Sequence, residues 1–171
     1  MAAAVRPSRP PRAILRRVAS FYQDPEAPSP NNPRRVGIVA FIERDSSLLL
    51  ERRADFGTWG LPGGALDEDE TVGEAVAREV REETGLETLS LELFGVLSDP
   101  SRIIAYPDGN VFRLLTLAFV VAVASGDPQI SRESLELRFV PFPDISDLEV
   151  GPALVPVLDA YLSSRDRPVV A

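Results

Sequence analysis

Short apolar runs and one longer amphipathic stretch set the pattern of this chain. Runs rich in Val, Ile, Leu and Phe predict strands at residues 36–42, 48–53, 89–97, 114–124 and 135–142. We expect the first two strands to form a hairpin, because only the polar residues 43–47 separate them. Helical spacing predicts a helix over residues 70–84 that ends at Gly85, and a closing helix over residues 152–163.

Prolines set the first 33 residues apart from the rest of the chain. Between them, residues 13–22 predict one short helix, since Ile14, Leu15, Val18 and Phe21 recur at helical spacing. We therefore expect a Pro-rich N-terminal arm with one short helix at residues 1–33 and a folded domain at residues 34–171. The mixed order of strands and helices in that domain predicts an α/β sandwich.

Two missing residue types narrow the chemistry. The 171 residues include no cysteine and no histidine. Disulfides, thiol catalysis, imidazole bases and His- or Cys-ligated metal sites are therefore excluded. Any bound metal must be a hard ion with oxygen ligands, such as Mg²⁺, Mn²⁺ or Ca²⁺.

Charge and hydropathy also restrict the partners. The formal net charge of −8 argues against nucleic acid as a partner. No segment approaches the run of about 18 apolar residues that would span a membrane. The arginine-rich start is not followed by the apolar segment of a secretory signal. We expect a cytoplasmic protein with neither a membrane nor a nucleic acid as partner, and association with a second copy of the chain is left open.

The predicted helix over residues 70–84 carries an unusual acidic end. Its apolar residues share one broad face, and Glu79, Glu82 and Glu83 extend the same face. Glu74 and Arg81 lie on the opposite side. An acidic cluster is commonly just solvated surface, but carboxylates on an inward face need partners, and the C-terminal end of a helix disfavours negative charge. A divalent cation would remove both penalties.

The spacing of residues 64–86 is more specific still. The segment reads GALDEDETVGEAVAREVREETGL, with Gly64, Glu70, Arg78-Glu79-Val80, Glu82-Glu83 and Gly85-Leu86 at fixed intervals. It resembles the Nudix box at every defining position, and the similarity to that family extends over residues 34–145, including the WGLPGG that leads into the box. The resemblance implies a Nudix-type α/β/α sandwich with a mixed β-sheet, in which a loop-helix-loop binds one to three divalent cations.

The resemblance also implies roles for individual residues. Glu79 and Glu83 are the expected principal metal ligands, Glu82 a further ligand or a water holder, and the Gly63 carbonyl an additional ligand. Arg78 would hold the glutamates by ion pairing, and Glu70 would serve as a ligand or as an anchor of the loop. The expected cofactor is Mg²⁺ or Mn²⁺. The general base stays open between Glu79 in the box and Glu133 or Glu136 before the last strand.

The expected reaction is hydrolysis of a diphosphate bond in a nucleoside diphosphate linked to another group, similar to ADP-ribose. The turn at residues 106–109 resembles an ADP-ribose pyrophosphatase-like subgroup. One alternative is a nucleoside triphosphate pyrophosphohydrolase that removes damaged nucleotides. Another is a non-catalytic nucleotide-sensing domain, and the intact box disfavours this second alternative. The candidate aromatic contacts to the substrate could also be packed core or loop residues: Trp59, Phe56, Tyr106 and Phe112. The candidate arginine contacts to phosphate could for the most part be solvated surface residues: Arg52, Arg53, Arg102 and Arg113.

Overall fold

The computed structural model describes residues 17–163 and 168–171. Within them, short 3₁₀ helices occupy Phe142–Asp147 and Pro152–Leu154. The α-helices are α1 (Val72–Thr84) and α2 (Val155–Ser163). The strands are β1 (Ala19–Phe21), β2 (Arg35–Phe41), β3 (Glu43–Arg44), β4 (Ser47–Arg53), β5 (Trp59–Gly60), β6 (Thr88–Leu97), β7 (Ile103–Ala105), β8 (Val111–Val123), β9 (Ser134–Pro141) and β10 (Val169–Val170).

The strands form two sheets. In the larger sheet, β8 pairs in parallel with β2 and antiparallel with β6 and β7, while β1 pairs with β7 and β10 pairs with β6. In the smaller sheet, β4 pairs antiparallel with β3, β5 and β9. The expected α+β class with mixed strand directions is confirmed, although two sheets share the strands that we expected in one.

Alternation along β2 explains why helices lie on both sides of the strands. Ile38 and Ala40 pack in one hydrophobic cluster with Val76 and Val80 of α1. Phe41 instead belongs to a second cluster that includes residues of α2. Successive side chains of a strand point to opposite faces, so one strand contributes to both cores. This arrangement places α1 and α2 on opposite faces.

The predicted hairpin of residues 36–42 and 48–53 is wrong in its pairing. β2 pairs with β8, whereas β4 pairs with β9, and the chain passes from one sheet to the other after Phe41. Only β3 forms a hairpin with β4, across a turn in which Asp45 and Ser46 have positive φ values of 48° and 58°. The long apolar β2 is better covered beside β8, and this long-range pairing outweighs the short connection between the two runs.

The predicted N-terminal helix is also wrong where it can be compared. Ala19–Phe21 form strand β1, which pairs with β7, while residues 13–16 lie outside the described residues. Phe21 packs against a small cluster made by Ile103, Ala105 and Val111. Strand pairing and this contact, which are not local in sequence, override the helical spacing of the apolar residues. The division of the chain at residue 34 stays a prediction.

Further short strands lie between the strands and helices that the sequence predicted. β5 interrupts the loop of residues 56–64, and β7 interrupts the loop of residues 98–112. The closing helix begins as a 3₁₀ turn, so Pro156 lies in the first turn of α2, where a missing N–H is tolerated. Among the described residues no helix is long and apolar enough to cross a membrane.

Helix α1 begins and ends at strong caps. The Thr71 hydroxyl accepts a hydrogen bond from the Glu74 N–H at 3.3 Å, and the Glu74 carboxylate accepts one from the Thr71 N–H at 2.8 Å. Gly85 ends the helix with φ 71°, and its N–H donates to the Arg81 carbonyl. These caps and the buried Val76 and Val80 explain why sequence periodicity located this helix within two residues at its start.

Thr71→Ala should lower the free energy of unfolding by about 1 kcal/mol, because the first turn of α1 loses its capping oxygen. Urea unfolding measures this change. Ser90→Ala, at an exposed position on β6, is the matched control and should leave the stability nearly unchanged. Equal stability of the Thr71 variant and the wild-type protein would contradict the role assigned to this cap.

Candidate metal and hydrolase site

The loop that leads into α1 is fixed along the edge of β2. The Ala40 N–H donates to the Pro62 carbonyl at 2.8 Å, and the Ile38 N–H donates to the Gly64 carbonyl at 2.9 Å. Gly63, between these two acceptors, donates its N–H to Glu83 Oε2 at 2.6 Å. The carbonyl of Gly63 lies 3.5 Å from Arg53 Nη1, its one hydrogen-bond donor among the described residues. The backbone pairing therefore leaves an under-used carbonyl beside a glutamate.

Close packing explains the two glycines of this loop. A Cβ atom at Gly63, whose φ is 149°, would lie 2.2 Å from the Ile38 carbonyl oxygen. A Cβ atom at Gly64 would lie 2.2 Å from Glu79 Oε1. A side chain at Gly63 would clash with fixed backbone, and one at Gly64 would force the Glu79 carboxylate to move, so Gly64 permits this carboxylate to lie directly against the loop.

Helix α1 directs two of its three clustered glutamates inward. The side chains of Glu79 and Glu83 are 13% and 5% exposed, but that of Glu82 is 57% exposed. The expectation that all three share the inward face is therefore wrong for Glu82. With about 100° between successive helical residues, Glu82 falls roughly a quarter turn from the centre of the apolar stripe. Glu83 lies near that centre.

Arg78 connects the loop before α1 to the glutamates in the second half of that helix. It bonds both oxygens of Glu70, with Nε 2.9 Å from Oε2 and Nη2 2.6 Å from Oε1. Its Nη1 lies 2.8 Å from Glu79 Oε1 and 3.5 Å from Glu82 Oε2. Hydrogen bonds from Arg78, and then from the Asp67 N–H, lower the pKa of Glu70 to about 2. Of the two roles foreseen for Glu70, this geometry favours the anchor.

Glu83 is the most deeply placed carboxylate of the box. Besides the Gly63 N–H, it contacts Arg53, whose Nη1 lies 2.9 Å from Oε1. Burial, and then the nearby carboxylate of Glu51, raise the pKa of Glu83 to about 8. Burial also raises the pKa of Glu79. Both rises indicate that the protein alone does not fully stabilise these negative charges.

Sequence reasoning did not identify Glu51, which is fully buried on β4. Its Oε1 accepts a hydrogen bond from Ser134 at 2.9 Å, whereas its Oε2 has no hydrogen-bond partner among the described residues. Burial raises the pKa of Glu51 as well. Alternation along β4 contained the necessary information, because Leu49 packs on the α1 side and residues 51 and 53 share its face.

The two later glutamates have different surroundings. Glu133 lies in the loop before β9, its side chain is 72% exposed, and its Oε2 lies 3.9 Å from Arg53 Nη2. Together with Glu79 and Glu83 it lines a shared cavity. Glu136 lies on β9 and pairs with Arg138 at 2.8 Å, and it does not line this cavity. The structure therefore brings Glu133, but not Glu136, to the box.

The cavity has a volume of about 450 Å³ and extends from the box to the turn at residues 106–109. Tyr106 lines it, packed edge-to-face with Phe112 at 6.0 Å between ring centroids, with the Arg35 guanidinium 5.4 Å from each ring centroid. Phe56 also lines it, near Arg53. Trp59 reaches the wall but is buried in the hydrophobic core.

The candidate arginines separate into two groups. Arg53 and Arg102 line the cavity. Arg102 is buried against neutral acceptors, the Ala153 and Leu97 carbonyls and the Thr116 hydroxyl, and burial lowers its pKa to about 10. Arg52 lies on the opposite face of β4 and donates to the Gly57 carbonyl, while Arg113 is exposed, and neither lines the cavity.

These groups fit a hard divalent cation. Glu79 and Glu83 offer carboxylate oxygens from one face of α1, and the Gly63 carbonyl offers a third oxygen with one long contact. The raised pKa of Glu83 and the unpartnered oxygen of Glu51 indicate a deficit of positive charge at this place. Oxygen ligands and excess negative charge are what Mg²⁺ and Mn²⁺ prefer.

Comparison with known proteins agrees with this geometry. The NUDIX domain model matches residues 31–161. A MutT-like protein of Streptomyces ambofaciens is 36% identical over 140 residues, which cover 81% of this chain and 83% of that protein. An ADP-ribose pyrophosphatase of Methanocaldococcus jannaschii is 36% identical over 107 residues, which cover 61% of this chain and 60% of that protein.

A solved structure shows the same fold. The MutT protein from Methanosarcina mazei Go1 superposes with a TM-score of 0.62 and 26% sequence identity. The superposition covers 80% of this chain and 100% of that protein. The family match spans the box, the sheet edge that holds it and most of the residues that line the cavity. This chain therefore belongs to the Nudix family and is a Nudix hydrolase.

Proposed function

We propose that this hydrolase uses Mg²⁺ or Mn²⁺ to cleave the diphosphate of a nucleoside diphosphate linked to another group, with ADP-ribose as the representative substrate. The observation that carries the proposal is the meeting of Glu79, Glu83 and the Gly63 carbonyl at one wall of the cavity. A chain without histidine and cysteine must rely on carboxylates, arginines, hydroxyls or a bound metal ion for catalysis.

Glu79, Glu83 and the Gly63 carbonyl would hold the cation. When bound, a divalent cation neutralises phosphate oxygens and makes a water molecule a better nucleophile at neutral pH. Arg78 keeps the Glu79 carboxylate in place through its 2.8 Å contact, and Glu70 keeps Arg78 in place. Fixing the ligands before the substrate arrives reduces the rearrangement that the reaction requires.

Glu133 is the proposed acceptor of the proton from the attacking water. Its carboxylate lines the same cavity as Glu79 and Glu83 and is open to solvent, so a water molecule can reach it. Its loop is fixed, because the Glu133 carbonyl accepts a hydrogen bond from the Ala54 N–H at 2.8 Å. The carboxylate of Glu79, the other candidate, is held by Arg78 at 2.8 Å and is itself a proposed ligand of the cation, so it is less free to accept the proton.

The bond changes are those of a simple hydrolysis. The water oxygen bonds to one phosphorus, and the bond from that phosphorus to the bridging oxygen breaks. The bridging oxygen leaves with the other phosphate, so ADP-ribose yields AMP and ribose 5-phosphate.

The ADP-ribose class has two supports. The chain is similar to a named ADP-ribose pyrophosphatase, and the cavity continues past the box to Tyr106, leaving space for a group on the far side of the diphosphate. Phe56 and Tyr106 offer aromatic surfaces to a base or a sugar. Similarity to a putative 8-oxo-dGTP diphosphatase and to a nucleoside triphosphatase supports the second candidate, cleavage of a nucleoside triphosphate to a monophosphate and pyrophosphate.

Purified protein with Mg²⁺ should release AMP and ribose 5-phosphate from ADP-ribose faster than it converts dGTP or 8-oxo-dGTP, and a chelator should abolish the reaction. Glu79→Gln and Glu83→Gln should each lower kcat at least about 100-fold, because each removes charge that holds the cation. Product chromatography and steady-state kinetics measure both results.

Glu74→Gln is the matched control, since Glu74 lies on the same helix but its carboxylate bonds Thr71. This variant should retain a kcat near that of the wild type. Full activity in excess chelator, or equal losses in all three variants, would contradict the cation site. Faster turnover of 8-oxo-dGTP than of ADP-ribose would favour the second candidate.

The proton acceptor can be tested separately. Glu133→Gln should lower kcat about 10²- to 10⁴-fold while Mn²⁺ still binds with wild-type affinity. Glu136→Gln, in which only the surface pair with Arg138 is lost, should behave like the wild type. Kinetics combined with Mn²⁺ titration gives both quantities, and wild-type kcat in the Glu133 variant would move the proton acceptor into the box.

A further inference from the structure

Arg53 contacts the same atoms that are proposed to bind the cation. Its Nη1 lies 2.9 Å from Glu83 Oε1 and 3.5 Å from the Gly63 carbonyl oxygen. The Arg53 side chain is mostly buried and reaches these atoms from β4, on the face that carries Glu51. A single positive guanidinium group thus lies against two of the three proposed cation ligands.

The ligands are not assembled for a metal ion in this arrangement. Within residues 17–163 and 168–171, no three acidic side chains converge closely enough to hold one. Arg78 holds Glu79, and Arg53 holds Glu83. A cation that binds Glu83 and the Gly63 carbonyl must therefore take the place of Nη1 of Arg53, because like charges repel strongly at such short separations.

We propose that Arg53 is a displaceable counter-ion, which neutralises Glu83 until a divalent cation enters and is then released to bind the diphosphate of the substrate. This inference rests on the proposed cation site. It makes Arg53 a substrate-binding residue whose two successive partners are a carboxylate of the box and a phosphate oxygen.

The remaining contacts of Arg53 allow such a movement. Its Nε and Nη2 each lie 3.1 Å from an oxygen of Asp55. This two-point contact keeps the guanidinium at the site when Nη1 leaves Glu83. Arg53 lines the cavity beside Phe56 and Glu133, so the released N–H groups can reach a ligand bound there. A planar guanidinium is well matched to a phosphate group.

Competition at Glu83 has two measurable consequences. Removal of the guanidinium should strengthen metal binding in the absence of substrate, because the cation no longer displaces a resident charge. The same change should weaken diphosphate binding, because the phosphate loses a donor. A purely structural ion pair would predict the opposite for the metal, since losing it would disturb the ligands.

The first test is calorimetric titration with Mn²⁺ alone. Arg53→Gln should bind Mn²⁺ with a Kd at least about fivefold lower than the wild type, the lower end of usual coupling between two sites. Arg52→Gln is the matched control, because it removes the same charge from the preceding residue, whose side chain lies on the opposite face of β4. This control should bind Mn²⁺ like the wild type.

The second measurement concerns the diphosphate. Arg53→Gln should bind α,β-methylene ADP-ribose about tenfold more weakly, the loss expected for one hydrogen bond to a charged group. In turnover, KM should rise more than kcat falls. Arg53→Lys, which keeps a positive charge, should resemble the wild type more closely than Arg53→Gln does in Mn²⁺ affinity.

The wild-type protein provides a test that no folding defect can obscure. Addition of Mg²⁺ should shift the Nη–H resonances of the Arg53 guanidinium in NMR spectra, because Nη1 loses Glu83, and leave those of Arg52 in place. Wild-type or weaker Mn²⁺ binding by a folded Arg53→Gln variant, or an unchanged Arg53 resonance at saturating Mg²⁺, would overturn the proposal. These readouts require no turnover, so a wrong substrate class would leave them intact, whereas absence of any Mn²⁺ binding would refute the cation site itself.

Discussion

The burial of two carboxylates between β4 and α1 is the constraint on which the site depends. Glu51 is fully buried and Glu83 nearly so; burial raises the pKa of both, and the Glu51 carboxylate also contributes to the raised pKa of Glu83. Such burial is unfavourable unless hydrogen bonds or cations compensate it. Here the Gly63 N–H, Ser134 and Arg53 provide part of that compensation. The buried carboxylates of Glu51 and Glu83 thereby keep a strongly negative electrostatic environment beside the cavity, which a divalent cation can stabilise.

The fold positions this place through backbone contacts that are independent of the glutamates. β2 pairs with β8 along one edge and holds residues 62–64 along the other, so the loop before α1 behaves almost as an additional strand. The Gly63 carbonyl and N–H are consequently fixed toward the interior of the site. The caps of α1 then fix where Glu79 and Glu83 lie along the helix axis. Rigid elements on both sides of the cavity suit a site that needs close geometric control.

The sequence was most informative where one local interaction determines the structure. The 3.6-residue period, the Thr71 cap and Gly85 located α1, and the spacing from Gly64 to Leu86 indicated its chemistry. Local patterns failed where a distant strand decides the outcome. β1 forms by pairing with β7, and β2 pairs with β8 instead of with β4, the run that follows it closely in the sequence. Such pairings are not encoded within a short window of residues.

The site shows the same division. Glu79, Glu83 and Arg78 were predicted from the box, but Glu82 was placed inward because the stripe was treated as broader than it is. Arg52 and Arg53 were treated alike, although strand alternation separates them, and Glu51 was overlooked in an apolar run for the same reason. The difference between Glu133 and Glu136 depends on how the loop before β9 approaches Arg53, which only the three-dimensional structure reveals.

The deficit of positive charge around Glu83 should make this part of the cavity wall a binding site for a divalent cation. Anomalous scattering from crystals grown with Mn²⁺ can locate such a cation. A Mn²⁺ peak should lie between the carboxylates of Glu79 and Glu83 and the carbonyl of Gly63, with Nη1 of Arg53 no longer bonded to Glu83. A map without a peak there, in which Arg53 still pairs with Glu83 at saturating Mn²⁺, would contradict the cation site.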